Sequence, residues 1–139
     1  ELKDQIKNTL TWNTNIDATK LNIEVKDRWV NLKGDVDSYW KKYLAEQKVL
    51  NTRGVVGVSN EIAVVPTEKI TDEAIAEDIV NSMDRNVNVI AENVTVKVSD
   101  GKVTLTGEVR DWSAKKSAFT AAATAWGVKG VENRILINP

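Results

Sequence analysis

The chain has 139 residues, with 19 basic and 20 acidic side chains, a formal net charge of −1, and neither histidine nor cysteine. A charge so close to zero gives no electrostatic reason to expect a nucleic acid partner. No apolar run approaches the ~20 residues that a membrane-spanning helix needs. The absence of cysteine fits a reducing or an oxidising compartment equally well, so it does not indicate a location.

The dominant pattern is an internal repeat at an offset of 73 residues, which aligns 1–66 with 74–139 without a gap. Identical pairs in register include Val25/Val98, Asp27/Asp100, Val30/Val103, Leu32/Leu105, Gly34/Gly107, Gly57/Gly130, Asn60/Asn133, Ile62/Ile135 and Pro66/Pro139. We therefore predict two copies of one domain, 1–66 and 74–139, joined by a linker at 67–73. The chain starts inside an amphipathic pattern, so we expect these 139 residues to be a processed or cropped piece of a longer protein.

Each copy opens with a predicted helix. Apolar residues recur there at helical spacing, namely Leu2, Ile6 and Leu10 in the first copy and Ile75, Ile79 and Met83 in the second. Thr71 precedes two acidic residues, which is typical of an N-cap followed by the first helical turn. Asn-rich segments at 12–15 and 84–88 predict loops after both helices, because Asn side chains bond to nearby backbone.

A β-hairpin is predicted next, at 21–36 and again at 94–109, because apolar and polar residues alternate there. Asp100-Gly101 favours a two-residue turn, and Asp27-Arg28 is a weaker choice because Arg brings a Cβ into the left-handed region. One face of the first hairpin should carry Leu21, Ile23, Val25, Val30, Leu32 and Val36. Gly34 and Gly107 fall on the inward face, which indicates the close approach of a helix or, alternatively, a β-bulge.

Second helices are predicted at 38–53 and 111–126, with Ser38 and Asp111 as N-caps and Gly54 and Gly127 as C′ residues. A final strand ends each copy just before a proline, which cannot donate to a β-ladder. Each copy therefore reads α-β-β-α-β, and its second and third strands should run parallel with a right-handed crossover. We predict an α+β fold in which each unit is a three-stranded mixed sheet with two helices on one face.

Two segments in each copy resemble BON domains. They are VTVKVSDGKVTLTGEV and GVKGVENRILI in the second copy, and LNIEVKDRWVNLKGDV and GVVGVSNEIAV in the first. This family is named for bacterial osmotically inducible and nodulation proteins, and the resemblance covers essentially the whole chain. It implies a non-enzymatic protein of the bacterial periplasm or outer envelope, linked to osmotic and envelope stress. It also implies binding to anionic phospholipid surfaces or chaperone-like contact with envelope proteins, and it supplies no site residue.

The residue types argue against catalysis. Without histidine and cysteine, the commonest general base, the thiol nucleophile and the usual zinc ligands are absent. GVVG and GVKG lack the Lys-Ser/Thr pair and the following helix of a phosphate-binding loop. Asp100, Glu108 and Asp111 could contact a cation, but turn, surface and cap roles fit their positions better. We expect no enzymatic activity, no metal and no cofactor.

Aromatic residues are concentrated on or beside the second helices, and the chain has five tryptophans. At about 100° per residue, the sheet-facing positions are Ala45, Val49 and Thr52 in the first copy and Ala118, Ala122 and Ala125 in the second. The outward positions are Trp40, Tyr43 and Leu50 in the first copy, and Trp112, Phe119 and Trp126 along a flank in the second. Lys41, Lys42, Lys115 and Lys116 lie near the starts of these helices.

An aromatic stripe with lysines is typical of a membrane interface or of a partner groove. The candidate lipid or partner surface therefore comprises Trp40, Tyr43, Leu50, Trp112, Lys115, Lys116, Phe119 and Trp126. The candidate partners are anionic phospholipid, envelope proteins or a second copy of the chain. In the simpler interpretation the aromatic rings seal the gap between the two units or cap each small core.

Overall fold

The computed structural model describes residues 2–13, 20–85 and 93–139. The chain divides into two units, unit 1 at Glu1–Val65 and unit 2 at Pro66–Pro139. Unit 1 contains α1 (Leu2–Asn13), β1 (Asn22–Lys26), β2 (Trp29–Val36), α2 (Tyr39–Leu50) and β3 (Gly57–Val64). Unit 2 repeats this order with α3 (Asp72–Asp84), β4 (Val94–Ser99), β5 (Lys102–Val109), α4 (Trp112–Ala123) and β6 (Gly130–Ile137).

The sheet of each unit is three-stranded and mixed, as predicted. In unit 1 the strand order is β1-β2-β3, with β1 antiparallel and β3 parallel to the central strand. In unit 2 the order is β4-β5-β6 with the same directions. The parallel pair requires a crossover connection, which α2 and α4 provide. The α+β class and the αββαβ order of both units are confirmed.

Both hairpins turn through two residues with positive φ. Asp27 and Arg28 have φ of 53° and 64°, and Asp100 and Gly101 have φ of 50° and 79°. Positive φ at both central positions defines the type I′ turn that fits the twist of antiparallel strands. The Asp-Arg pair therefore adopts the same turn as Asp-Gly, despite the Cβ of Arg28.

The inward face of each sheet forms a small apolar core. In unit 1 the predicted hairpin face is buried except for Val25, which is partly buried. The helices add Ile6 and Leu10 from α1 and Ala45 and Val49 from α2, all fully buried. The buried residues of unit 2 include Ile75, Ile79, Met83, Val94, Val103, Leu105, Val109, Ala118, Ala122 and Ile135. The predicted Asn-rich loops lie largely outside the described residues, and 12–13 and 84 still belong to α1 and α3.

The second helices end earlier than predicted. The C-caps are Asn51 and Thr124, and the chain continues through tighter turns, such as Ala125 N–H to the Ala122 carbonyl at 3.4 Å. Gly54 and Gly127 lie three residues beyond the caps, at φ of 97° and 89°, so they are not C′ residues. Thr52 consequently lies past the end of α2 and is only partly buried.

Glycine is required at the two inward positions, 34 and 107, for a different reason from the predicted one. Gly34 and Gly107 have φ of 135° and 128°, which side chains rarely adopt. A Cβ on Gly107 would overlap the carbonyl oxygen of Asn93, and one on Gly34 would lie 2.9 Å from the carbonyl oxygen of Lys20. The close approach is therefore made by the segment that enters the first strand, not by a helix. The register of Gly34 with β3 and of Gly107 with β4 is continuous and shows no bulge.

One carboxylate ties the first turn of α3 to the hairpin of unit 2. Asp72 directly follows the N-cap Thr71, whose side chain accepts a bond from Ala74 N–H. The two carboxylate oxygens of Asp72 accept hydrogen bonds of 2.9 Å from the backbone N–H groups of Asp100 and Gly101. Both central amides of the turn are thus satisfied by one ionised side chain 28 and 29 residues away. Hydrogen bonds to ionised groups are roughly twice as strong as neutral ones.

We expect Asp72→Ala to lower the free energy of unfolding of unit 2 by about 1–3 kcal/mol, because two charge-assisted hydrogen bonds are lost. Urea denaturation and amide hydrogen exchange at Asp100 and Gly101 measure the effect. The matched control is Asp78→Ala, at an exposed position of the same helix, which should change stability by no more than about 0.5 kcal/mol. Equal denaturation midpoints for the two variants would contradict the role given to Asp72.

Candidate interaction surface

The start of α4 carries the most exposed aromatic residue of that helix. Asp111 is the N-cap, and its carboxylate accepts a 2.8 Å hydrogen bond from Ala114 N–H. Trp112 comes next and is 64% exposed. The Lys115 ammonium lies 5.8 Å from the centre of the Trp112 ring, which is a cation–π arrangement. An exposed indole and a cation are therefore held together on one turn of helix.

The charge around this turn is locally positive, although the whole chain is nearly neutral. Arg110, Lys115 and Lys116 lie within a few residues of Trp112, and Arg110 and Lys116 are exposed. The acidic neighbours are Asp111, whose carboxylate caps α4, and Glu108, which lines a cavity together with Arg110, so three basic and two acidic residues leave a local balance of +1. This arrangement can attract an anionic partner to the beginning of α4. The attraction acts over roughly 8–10 Å, the distance beyond which physiological salt screens surface charges.

Phe119 continues this side of α4, whereas Lys116 faces another direction. Trp112, Lys115 and Phe119 are separated by three and four residues, so they share one side of the helix. Phe119 is partly buried. Lys116 lines a groove between α3 and α4 together with Ser82, Ser113, Ser117, Thr120, Ala121 and Thr124. The two neighbouring lysines therefore serve different surfaces of unit 2.

Trp126 does not belong to the flank on which the sequence placed it. The helix ends at Ala123, and Trp126 lies in the turn that follows, where it is 66% exposed. The length of α4 separates it from Trp112, about 18 Å for 12 residues at 1.5 Å each. The helical spacing that aligned Trp126 with Trp112 and Phe119 does not extend to residue 126, because α4 ends at Ala123.

The aromatic residues of α2 form a stack. Ring centroids are 5.3 Å apart for Trp40 and Tyr43 and 6.4 Å apart for Tyr39 and Tyr43, and all three side chains are partly buried. Leu50 is exposed at the last position of this helix. Sequence reasoning missed Tyr39, although its spacing of four residues from Tyr43 indicates contact on a helix. The outward aromatic residues of α2 are thus less accessible than Trp112.

Burial raises the pKa of Tyr39 above its ordinary value of 10.0, and the nearby Glu46 carboxylate and Tyr43 raise it further. The two largest of these causes disfavour the tyrosinate form, since a buried negative charge loses hydration and the Glu46 carboxylate repels it. Tyr39 therefore stays neutral through the physiological pH range.

The acidic residues considered for a cation have separate structural roles. Asp111 caps α4, Glu108 accepts a 3.4 Å hydrogen bond from the Asn138 amide, and the Asp100 backbone is held by Asp72. Among the residues that the structure describes, no group of three or more His, Cys, Asp or Glu side chains could hold a metal ion. In the same part of the chain, no helix has the length and apolar character needed to cross a membrane.

The family model of the BON domain matches residues 1–66 and again residues 71–139. The chain therefore belongs to the BON domain family and carries two copies of the domain, as the sequence indicated. It is similar to Osmotically-inducible protein Y of Escherichia coli (strain K12), with 24% identity over 135 residues. That alignment covers 93% of this chain and 67% of the relative.

Two solved structures of CdsD, a structural protein of the Type III secretion system of Chlamydia trachomatis, also align with the chain. The C-terminal domain of CdsD has a TM-score of 0.45 and 12% identity, and the alignment covers 100% of this chain and 98% of that one. The second has a TM-score of 0.42 and 14% identity, covering 99% of this chain and 62% of that one. Both TM-scores are low, so the family assignment depends on the sequence match.

We expect the stability of unit 1 to fall above pH 10, because the raised pKa of Tyr39 means that the unfolded chain ionises first. The contribution of neutral Tyr39 to the free energy of unfolding is fully present below the pKa of tyrosine in the unfolded chain, about 10. It is lost as the pH rises through the higher pKa of Tyr39 in the folded unit. Tyr39→Phe should flatten this alkaline decline in urea midpoints. Glu46→Gln should lower the pKa of Tyr39 only in part, because burial is the larger cause. An unchanged alkaline decline in Tyr39→Phe would contradict this assignment.

Proposed function

We propose that this chain is a non-catalytic binding module of the bacterial envelope, with a role in osmotic or envelope stress, that binds anionic phospholipid surfaces through α4. The family and the similarity to Osmotically-inducible protein Y support the osmotic and periplasmic part of the proposal. The lipid-binding part depends on one observation, the exposed Trp112 ring with the Lys115 ammonium beside it.

The chemistry of this turn suits an interface between lipid and water. A Trp side chain combines an apolar ring with a polar N–H and is favoured at the level of lipid headgroups. Arg110 and Lys115 can approach headgroup phosphates, and each basic residue near an anionic surface contributes about 1 kcal/mol. Phe119 extends the apolar contact along the same side of α4. The net charge of the chain, −1, does not oppose binding at this surface. Salt screens the repulsion between the membrane and acidic residues that lie farther away.

Binding of envelope proteins or self-association is the second candidate function. Leu136 is 64% exposed near the end of β6, and the neighbouring Ile137 is also exposed. Since β6 lies at the edge of its sheet, its exposed apolar side chains favour contact with another chain. Sedimentation over a range of concentrations tests self-association, and a strictly monomeric protein without effect on the aggregation of client proteins would exclude both forms of this candidate.

We expect Trp112→Ala to weaken binding to vesicles of phosphatidylglycerol and phosphatidylcholine about fivefold or more, because the exposed indole is lost. Lys115→Gln should weaken binding about fivefold at low salt, in keeping with about 1 kcal/mol per basic residue. Co-sedimentation with mixed vesicles and with pure phosphatidylcholine measures both effects.

Trp126→Ala is the matched control, since Trp126 is exposed to the same extent but lies beyond the other end of α4. It should bind like the natural chain. Equal loss of binding in both tryptophan variants would indicate nonspecific adsorption. Negligible binding of the natural chain to anionic vesicles would overturn the lipid proposal while leaving protein binding to be judged by sedimentation.

A further inference from the structure

The outer face of the unit 1 sheet carries an indole ring that lies flat over a glycine. Trp29 is the first residue of β2, and its register partner on β3 is Gly57. A Cβ built on Gly57 would lie 2.2, 2.5 and 2.7 Å from Cζ3, Cε3 and Cη2 of Trp29. Cζ3 lies between Cε3 and Cη2 in the ring. If the Cβ lay in the ring plane beyond Cζ3, its distances to the two neighbouring atoms would be much longer than its distance to Cζ3. The similar distances therefore place the Cβ above the ring plane rather than beside its edge. Gly57 is accordingly buried.

A hydrogen bond fixes the ring in this position. The Trp29 indole N–H donates to Ser59 Oγ at 2.9 Å, across from β2 to β3. One face of the indole is therefore occupied by Gly57 and its N–H by Ser59, yet the side chain remains 45% exposed. The accessible part is the opposite face of a rigid, flat ring. Because its N–H is bonded to Ser59, the ring offers a partner its open face and not a hydrogen-bond donor.

Polar side chains that can form hydrogen bonds lie beside the ring on the same face of the sheet. Glu24, Asn31 and Ser59 form one row across the three strands, and the next row holds Lys26, Trp29 and Gly57. The two rows are about 7 Å apart, which is two residues along a strand. Ser59 accepts from Trp29, so its hydroxyl hydrogen remains available as a donor. The described helices of unit 1 pack on the other face of this sheet, where the core lies.

The charges of this face fit an uncharged partner. Outward positions of the sheet carry Glu24, Asp35 and Glu61 against Lys26 and Lys33, so three acidic and two basic residues leave a balance of −1. Such a face gives no attraction to phosphates of nucleic acid or anionic lipid. It offers an apolar platform for ring C–H groups, with carboxylate, amide, hydroxyl and ammonium groups around it.

We propose that the outer face of the unit 1 sheet binds an uncharged saccharide, one pyranose ring of which stacks on Trp29. The ring C–H groups contact the open face of the indole, and the sugar hydroxyl groups bond to Glu24, Asn31 and Ser59. This site is separate from the α4 surface proposed for lipid. Unit 2 has Lys102, Gly130 and Glu132 at the aligned positions, and the Lys102 side chain comes no closer than 4.0 Å to a Cβ on Gly130. We therefore assign the site to unit 1 alone.

The test follows the indole N–H resonance of Trp29 in a proton–nitrogen correlation spectrum of the whole chain, identified by its loss in Trp29→Phe. The probes are cellotriose, maltotriose and tri-N-acetylchitotriose. At least one should cause a saturable shift of this resonance and of the Asn31 and Ser59 amides, without shifting the Trp112 and Trp126 indoles. The absence of a saturable shift with all three sugars overturns the proposal.

Variants separate stacking from a structural role. Trp29→Ala should lower the affinity about tenfold or more, and Trp29→Tyr should retain most of it, because a ring remains. A unit 2 variant with Lys97→Glu, Thr104→Asn, Lys102→Trp and Glu132→Ser carries the same four residues around Gly130, and it should raise the stoichiometry from one sugar to two. Unchanged affinity in Trp29→Ala overturns the proposal. The saccharide proposal is also overturned if phosphatidylglycerol vesicles shift the Trp29 resonance and no sugar does. This outcome is independent of whether Trp112→Ala weakens vesicle binding.

Discussion

Each unit depends on the burial of one face of a three-stranded sheet beneath two helices. The central strands β2 and β5 carry Leu32 and Leu105 on that face, and both are completely buried. Because the third strand is parallel to the central one, the chain must cross over between them, and the crossover helix has to cover the apolar face. The small and branched residues of α2 and α4, such as Val49 and Ala118, make this close contact possible.

One residue shared by the BON-like segments GVVGVSNEIAV and GVKGVENRILI, Asn60 in the first copy and Asn133 in the second, serves the same contact. Asn60 occupies an inward position of β3, where alternation would favour an apolar residue. Its amide donates to the carbonyl of Lys42 in α2 at 3.0 Å, and its oxygen accepts from the Ile62 N–H at 3.2 Å. Asn133 accepts from Ile135 N–H in the same way. A polar group in this position is tolerated because it is hydrogen-bonded, so the repeated Asn has an architectural role and not a chemical one.

The two repeats differ at surface positions that do not contribute to the apolar core or to the hydrogen bonds that both units share. Trp40 and Tyr43 of α2 align with Ser113 and Lys116, so a stacked aromatic cluster in unit 1 corresponds to a polar groove in unit 2. Trp29 aligns with Lys102, with the same consequence on the outer face of the sheet. Duplication of the fold has thus produced two units with different surfaces, which favours distinct partners over two copies of one site.

The sequence by itself determined the repeat, the order of the elements, the hairpin turns and the inward face of each sheet. These features depend on alternation and turn chemistry within a few neighbouring residues, as at Asp100-Gly101. Only the tertiary structure decided where α4 ends, and hence that Trp126 leaves the flank, and that Asp72 holds a hairpin nearly thirty residues away. The tertiary structure also decided the placement of Trp29 over Gly57. Each of these depends on contacts between residues distant in sequence, and no local pattern of residue types records such contacts.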